Sequence, residues 1–140
     1  MSDAAMPSLA LQLVWEHDLV FGGTSAQATT TLDSAGVAGP SPMQSLAFAL
    51  AGCMGMDVVH ILKKGRHELH GLRVDLSGAR APDNPKRFTA FTLHFTVNGP
   101  IPGDAIQRAL DLSHETYCSV WHSLRQDVPM TTTYSVSSGA

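Results

Sequence analysis

One stretch constrains this chain more than any other: from Leu46 to Leu62 every residue is apolar or small except Asp57 and His60. Ahead of it, Gly39-Pro40-Ser41-Pro42-Met43-Gln44 carries the signals of a helix start. Ser41 is the N-cap, Pro42 takes the first helical position, and Gln44 stands three residues after the cap to bond back to it. Lys63, Lys64 and Gly65 supply a basic last turn and a stop. A helix so apolar is expected to be buried almost all round. A membrane span is the competing reading, but it wants about 18 or more consecutive apolar residues, and Asp57 and His60 interrupt the run. Covering this helix takes more apolar surface than a chain of 140 residues provides by itself, so an obligate homodimer is expected.

The remaining segments pattern mostly as strands. Leu9, Leu11, Leu13 and Trp15 alternate with Ala10, Gln12, Val14 and Glu16, Phe21-Gly22-Gly23 punctuates the strand, and a Thr-rich run from Ala26 to Leu32 ends at Asp33-Ser34-Ala35-Gly36. Leu69 to Ala79 and Arg87 to Asn98, joined by Ala81-Pro82-Asp83-Asn84-Pro85, form a hairpin, with Phe91, Leu93, Phe95 and Val97 on its dry face. After the Gly99–Gly103 loop, Asp104 and Gln107 repeat the capping arrangement. Ile106, Leu110, Tyr117, Val120 and Leu124 then keep helical spacing to Asp127, with a candidate break at His114 to Tyr117. Met130 to Ser137 is the last strand. The order β-β-β-α-β-β-α-β predicts a single α+β domain over residues 1–140 rather than a doubly wound sheet.

Charge narrows the partners. A formal net charge of −3, with Lys and Arg scattered, excludes a polyanion-binding footprint, so neither nucleic acid nor an anionic membrane is expected. The start lacks the pattern of a secretory leader, which makes the cytoplasm the expected location. Two cysteines are too few for a disulfide framework, and a cytosolic pair is explained by redox work, by metal binding, or by thiols behaving as small buried hydrophobes.

Cys53 sits inside the apolar helix between Gly52 and Gly55, and each helical glycine costs about 1 kcal/mol relative to alanine. Such a pair suggests close approach of another element, for which a crossing helix would serve. Asp57 at i+4 and His60 at i+7 share the Cys53 face, either as a plain buried polar pair or as part of a site. Cys118 is flanked by His114 at i−4 and His122 at i+4, a weak metal-ligand pattern if the helix is continuous. The two cysteines are far outside CxxC spacing.

Taken together, the Gly39-Pro40-Ser41-Pro42-Met43 opening, the small-residue run into Cys53, Asp57-Val58-Val59, Pro85 ahead of Phe88-Thr89, and Tyr117-Cys118-Ser119-Val120 resemble the OsmC/Ohr family. Met56 to Arg66 is most similar to its YhfA-like branch. The resemblance runs from about residue 8 to 137. It implies an intertwined homodimer, with two central helices wrapped by antiparallel sheets and active sites at the dimer interface. It implies a thiol peroxidase that reduces organic hydroperoxides, with Cys53 peroxidatic and Cys118 resolving. The cycle runs through a Cys53 sulfenic acid and a Cys53–Cys118 disulfide, which a dithiol reductant opens. No metal and no organic cofactor is implied.

Two positions depart from the family pattern. Peroxidatic members carry an N-terminal arginine that stabilises the thiolate, and here the first arginine is Arg66. The glutamate that orients it is replaced by Gln44. A buried thiol without a neighbouring cation is a poorer nucleophile. His114, His122 or a basic residue of the second subunit are the candidates for that role. Two other readings stand beside the peroxidase: a non-enzymatic thiol module that binds a small apolar ligand or senses oxidation, with Phe48, Met54 and Met56 as its wall, and a metal site of His114, Cys118 and His122.

Overall fold

In the computed structural model, which describes residues 5–137, the long helix α1 (Pro42–Lys64) opens on the expected reciprocal cap. The Ser41 N–H donates to Gln44 Oε1 at 2.9 Å, and the Gln44 N–H donates to Ser41 Oγ at 3.1 Å. At its other end the Arg66 N–H bonds the Lys63 carbonyl and the His67 N–H bonds the Leu62 carbonyl. This pattern needs one left-handed residue. Arg66 takes that conformation (φ 64°), so the stop falls one residue beyond the expected Gly65.

The described residues form two compact units, one ending at Leu46 and the other beginning at Ala47. In the first, β1 (Gln12–His17), β2 (Val20–Ser25) and β3 (Ala28–Asp33) make an antiparallel meander in that order. Gly22 and Gly23 lie within β2, paired to Val14 and Leu13, so they do not punctuate a turn. The turns fall instead where Asp18 (φ 45°) and Ala26 (φ 51°) are left-handed. The strand expected from Leu9 begins only at Gln12, and Leu13, Val14 and Trp15 are all exposed in this unit. Beyond β3, the buried Asp33 carboxylate accepts N–H bonds from Ala35, Val37 and Ala38. These bonds, Ala38's foremost, hold it below its ordinary pKa of 3.8. Gly39 passes so close to Thr31 that a Cβ there would collide with the Thr31 carbonyl oxygen.

In the second unit, β4 (Gly71–Arg80), β5 (Phe88–Asn98) and β6 (Met130–Ser137) form a sheet in that order. The β4–β5 hairpin is antiparallel as expected, whereas β5 and β6 run parallel. The expectation of purely antiparallel sheets is therefore corrected. Parallel neighbours need a crossover, and the helical segment between β5 and β6 is one.

That crossover is not a single helix. Helix α2 (Gly103–Leu112) is followed by a π turn (Ser113–Tyr117), Cys118 is extended (φ −73°, ψ 98°), and the short α3 (Ser119–His122) resumes. Helix α2 starts one residue ahead of the expected cap. Asp104 is thus already helical, and its carboxylate accepts only from the adjacent Ala105 N–H, while Gln107 reaches forward to Asp111. Its charge still favours the helix start.

The core is the dry face of β5, with Phe91, Leu93, Phe95 and Val97 at most 3% exposed, packed with Leu50, Met54, Val58 and Leu62 of α1 and with Ile106 and Leu110 of α2. Helix α1 buries a stripe of its surface. Phe48 is 71% and Met56 73% exposed, because one sheet and one helix of a single chain cover only one side; the burial expected all round includes cover by a second subunit. By length and composition alone α1 is apolar enough to cross a membrane. In this fold its buried stripe lies instead against the sheet and α2.

Candidate functional site

Helix geometry sets Asp57 one turn beyond Cys53, on the same face of α1. The break in the crossover sets Cys118 opposite them. The Cys53 and Cys118 sulfurs and an Asp57 carboxylate oxygen all lie within 4.8 Å of one another. Both thiols are free, Cys53 half-buried and Cys118 completely buried. Ser113, also fully buried, donates its hydroxyl to Asp57 Oδ2 at 2.8 Å and fixes that carboxylate. As the residue ahead of α3, Cys118 accepts the Trp121 N–H on its sulfur at 3.3 Å.

Burial pushes the Cys118 thiol from its ordinary 9.0 up to about 11; the Trp121 N–H opposes the rise, and Cys53 and Asp57 reinforce it. A thiol so placed keeps its proton at neutral pH. Of the two, Cys53 is the sulfur a solute can reach.

The other expected residues lie elsewhere. Because the chain is extended at Cys118, His114, Cys118 and His122 do not share a helical face. His122 Nε2 bonds the His114 carbonyl oxygen at 2.9 Å, and the His114 ring packs edge-on against Trp121 at 5.4 Å between centroids. The three-ligand reading of His114, Cys118 and His122 is therefore corrected, and neither imidazole stands in the sulfur cluster. Gln44 spends its amide on the Ser41 cap. Of the glycines, Gly55 has room for β4, with Val74 lying 3.4 Å from where a Cβ would stand, whereas a Cβ at Gly52 would meet nothing within 4 Å. The close approach is thus made by a strand, and no helix of this chain crosses at Gly52.

Beside Asp57 opens a cavity of about 540 Å³, whose lining includes His60, Lys64, Arg108 and Tyr117. Ile61 and Leu112 give it apolar patches. Neither Lys64 nor Arg108 forms an ion pair among the described residues. Ser113 and Arg108 escaped the sequence reading, and Lys64 entered it only as part of the helix's basic last turn. Ser113 meets Asp57 only through the tertiary fold, and the two cations stand on different helices with no pattern in common.

An α+β fold that brings two free thiols from distant segments together around a carboxylate defines a dithiol protein. Residues 33–133 match the family model described as OsmC-like protein. Over 125 residues the chain is 40% identical to Protein YhfA of Escherichia coli (strain K12), covering 87% of this chain and 93% of that protein. A hypothetical protein from Aquifex aeolicus VF5 superposes with a TM-score of 0.87 at 26% identity, over 94% of this chain and 98% of that one. The organic hydroperoxide resistance protein OhrB of Bacillus subtilis superposes with a TM-score of 0.63 at 18% identity, over 94% and 100% of the two chains, a likeness of fold alone. The chain belongs to the OsmC family.

Proposed function

We propose that this protein is a thiol-dependent peroxidase acting on organic hydroperoxides in defence against oxidative stress. The observation that carries the reading is the meeting of the Cys53 and Cys118 sulfurs within 4.8 Å, near enough that a modest side-chain movement closes a disulfide. The Cys53 thiolate attacks the terminal peroxide oxygen, the O–O bond breaks, and the departing alkoxide takes a proton to leave as the alcohol. Cys53 is then a sulfenic acid. The Cys118 sulfur attacks the Cys53 sulfur, its proton leaves with the hydroxyl as water, and the disulfide forms. Two exchanges with a dithiol reductant restore both thiols. The half-buried Cys53 is the thiol open to the peroxide in the first step, while the buried Cys118 is kept from that step and must give up its proton as it attacks in the second.

The setting is a cytoplasmic homodimer, with the two units of each chain acting as one domain. Support for the dimer comes from the bare face of α1, where Phe48 and Met56 stand exposed beside a Gly52 that has open space before it. The family's arginine has no counterpart ahead of Arg66, and two cations, Lys64 and Arg108, line the cavity that Asp57 also lines. Intact-mass analysis of reduced protein after one equivalent of an organic hydroperoxide, against one of hydrogen peroxide, tests the reading. A loss of two mass units, mapped to a Cys53–Cys118 peptide and faster with the organic oxidant, is expected; an unchanged mass refutes it.

A further inference from the structure

The cluster at the site is composed of groups that become anions, two thiols and a carboxylate, gathered within 4.8 Å. No ion pair to Asp57 occurs among the described residues, and its one bond from a side chain is the neutral Ser113 hydroxyl. Such a set of donors suits a cation at its centre. We propose that the reduced site binds a single zinc ion through Cys53 Sγ, Cys118 Sγ and Asp57, and that zinc thereby competes with peroxide for the two thiols.

Three features point to zinc rather than another ion. First, the donors fit: two thiolates and a carboxylate suit a borderline-soft divalent ion, whereas copper(I) prefers sulfur throughout and magnesium or calcium prefers oxygen throughout. Second, the spacing fits. Zinc–sulfur bonds of about 2.3 Å at a tetrahedral angle put neighbouring donors roughly 3.5 to 3.8 Å apart, and the atoms need only draw in from 4.8 Å or less. Third, the surroundings have the form of a ligand-supporting shell. Ser113 donates to Asp57 Oδ2 at 2.8 Å and so orients the carboxylate, which has lone pairs to spare for the ion. The Trp121 N–H bonds the Cys118 sulfur at 3.3 Å, as amides do to metal thiolates. Three protein ligands leave a fourth position for water. Asp57 thereby gains a role that the peroxide cycle does not give it, and Ser113 is the residue that positions it.

The test uses full-length, reduced, metal-free protein with no peroxide present, so its outcome is independent of whether the protein is a peroxidase. Zinc is titrated against a chromophoric chelator, and cobalt(II) is added separately as a spectroscopic probe. The expected result is one ion per chain, with thiolate-to-cobalt charge-transfer absorption and the intense visible bands of a four-coordinate site. Ser113→Ala should weaken zinc about tenfold, Asp57→Asn more, and Cys118→Ser should abolish the charge-transfer intensity contributed by that sulfur. His114→Ala with His122→Ala should leave affinity unchanged. Stoichiometric zinc should also slow alkylation of Cys53 in the wild type, a readout that does not depend on how the variants fold. Absence of a stoichiometric ion, a cobalt complex without thiolate absorption, or full affinity in folded Asp57→Asn would each overturn the assignment.

Discussion

Alkaline pH should weaken this fold by more than its surface charges explain, and Cys118 is the reason. Its thiol is completely buried, and burial raises its pKa from 9.0 to about 11. Between those values the folded chain keeps the proton that the unfolded chain has given up. The folded state then binds more protons, so stability falls as pH rises. The contribution is fully present below about pH 9 and is lost as pH passes about 11. Two pKa units at about 1.4 kcal/mol each set an upper bound near 3 kcal/mol on the loss. Urea unfolding at pH 8, 9, 10 and 11, with a chelator and a non-thiol reductant present, measures it in the wild type and in Cys118→Ala. Lysines and tyrosines titrate in both proteins and cancel in the comparison. Wild type should lose about 2 kcal/mol more than the variant by pH 11, with the rest of the loss above that pH. Parallel curves would show that the protein does not hold the Cys118 proton against solvent, and with it the argument that Cys118 is the protonated partner would fall.

Other outcomes follow from the same geometry. Cys118→Ser should still form a sulfenic acid on Cys53 but proceed to sulfinic acid under excess hydroperoxide, while Cys53→Ser should not react; intact mass reads both. Met56→Glu, at a position 73% exposed in the single chain, would change stability by less than about 0.5 kcal/mol on a free surface, so its dissociation or unfolding of the protein in sedimentation is the expected sign of a dimer face. Replacing Lys64 and Arg108 of the cavity together with alanine should raise KM severalfold for a hydroperoxide bearing a carboxylate and leave a neutral one unchanged, since only the former gains from two cations. Ser41→Ala removes half of the reciprocal cap and should cost about 1 kcal/mol in thermal or chemical unfolding.

Local chemistry was legible in the sequence wherever it decides the structure. The Ser41–Gln44 cap, the dry face of β5 and the final strand came from patterns spanning a few residues, and each is present. What depends on distant partners was not. Gly22 and Gly23 signal a turn locally, yet pairing with β1 on one side and β3 on the other holds them in a strand. The candidate break at His114 to Tyr117 is real, a π turn over Ser113–Tyr117, but the sequence does not show that it re-aims the chain at Cys118 and scatters the two histidines from the thiol. The resemblance named the cysteine pair and helical spacing set Asp57 on the Cys53 face, while the fold adds the Ser113 anchor, 56 residues from Asp57. Within one chain only a stripe of α1 is covered, for want of a second layer and not for want of apolar side chains.

The parallel pairing of β5 with β6 has a consequence for how the protein comes into being on the ribosome. Cys118 belongs to the crossover that links those strands, so its position is fixed only once β6, ending at Ser137, has left the exit tunnel and added itself beside β5. Until then Cys53 emerges on a helix with no thiol to meet. Parallel, non-local pairings are slow to form, and throughout that interval the nascent chain carries two unpaired cysteines. Any stray oxidant encountered during synthesis meets thiols that have not yet found each other.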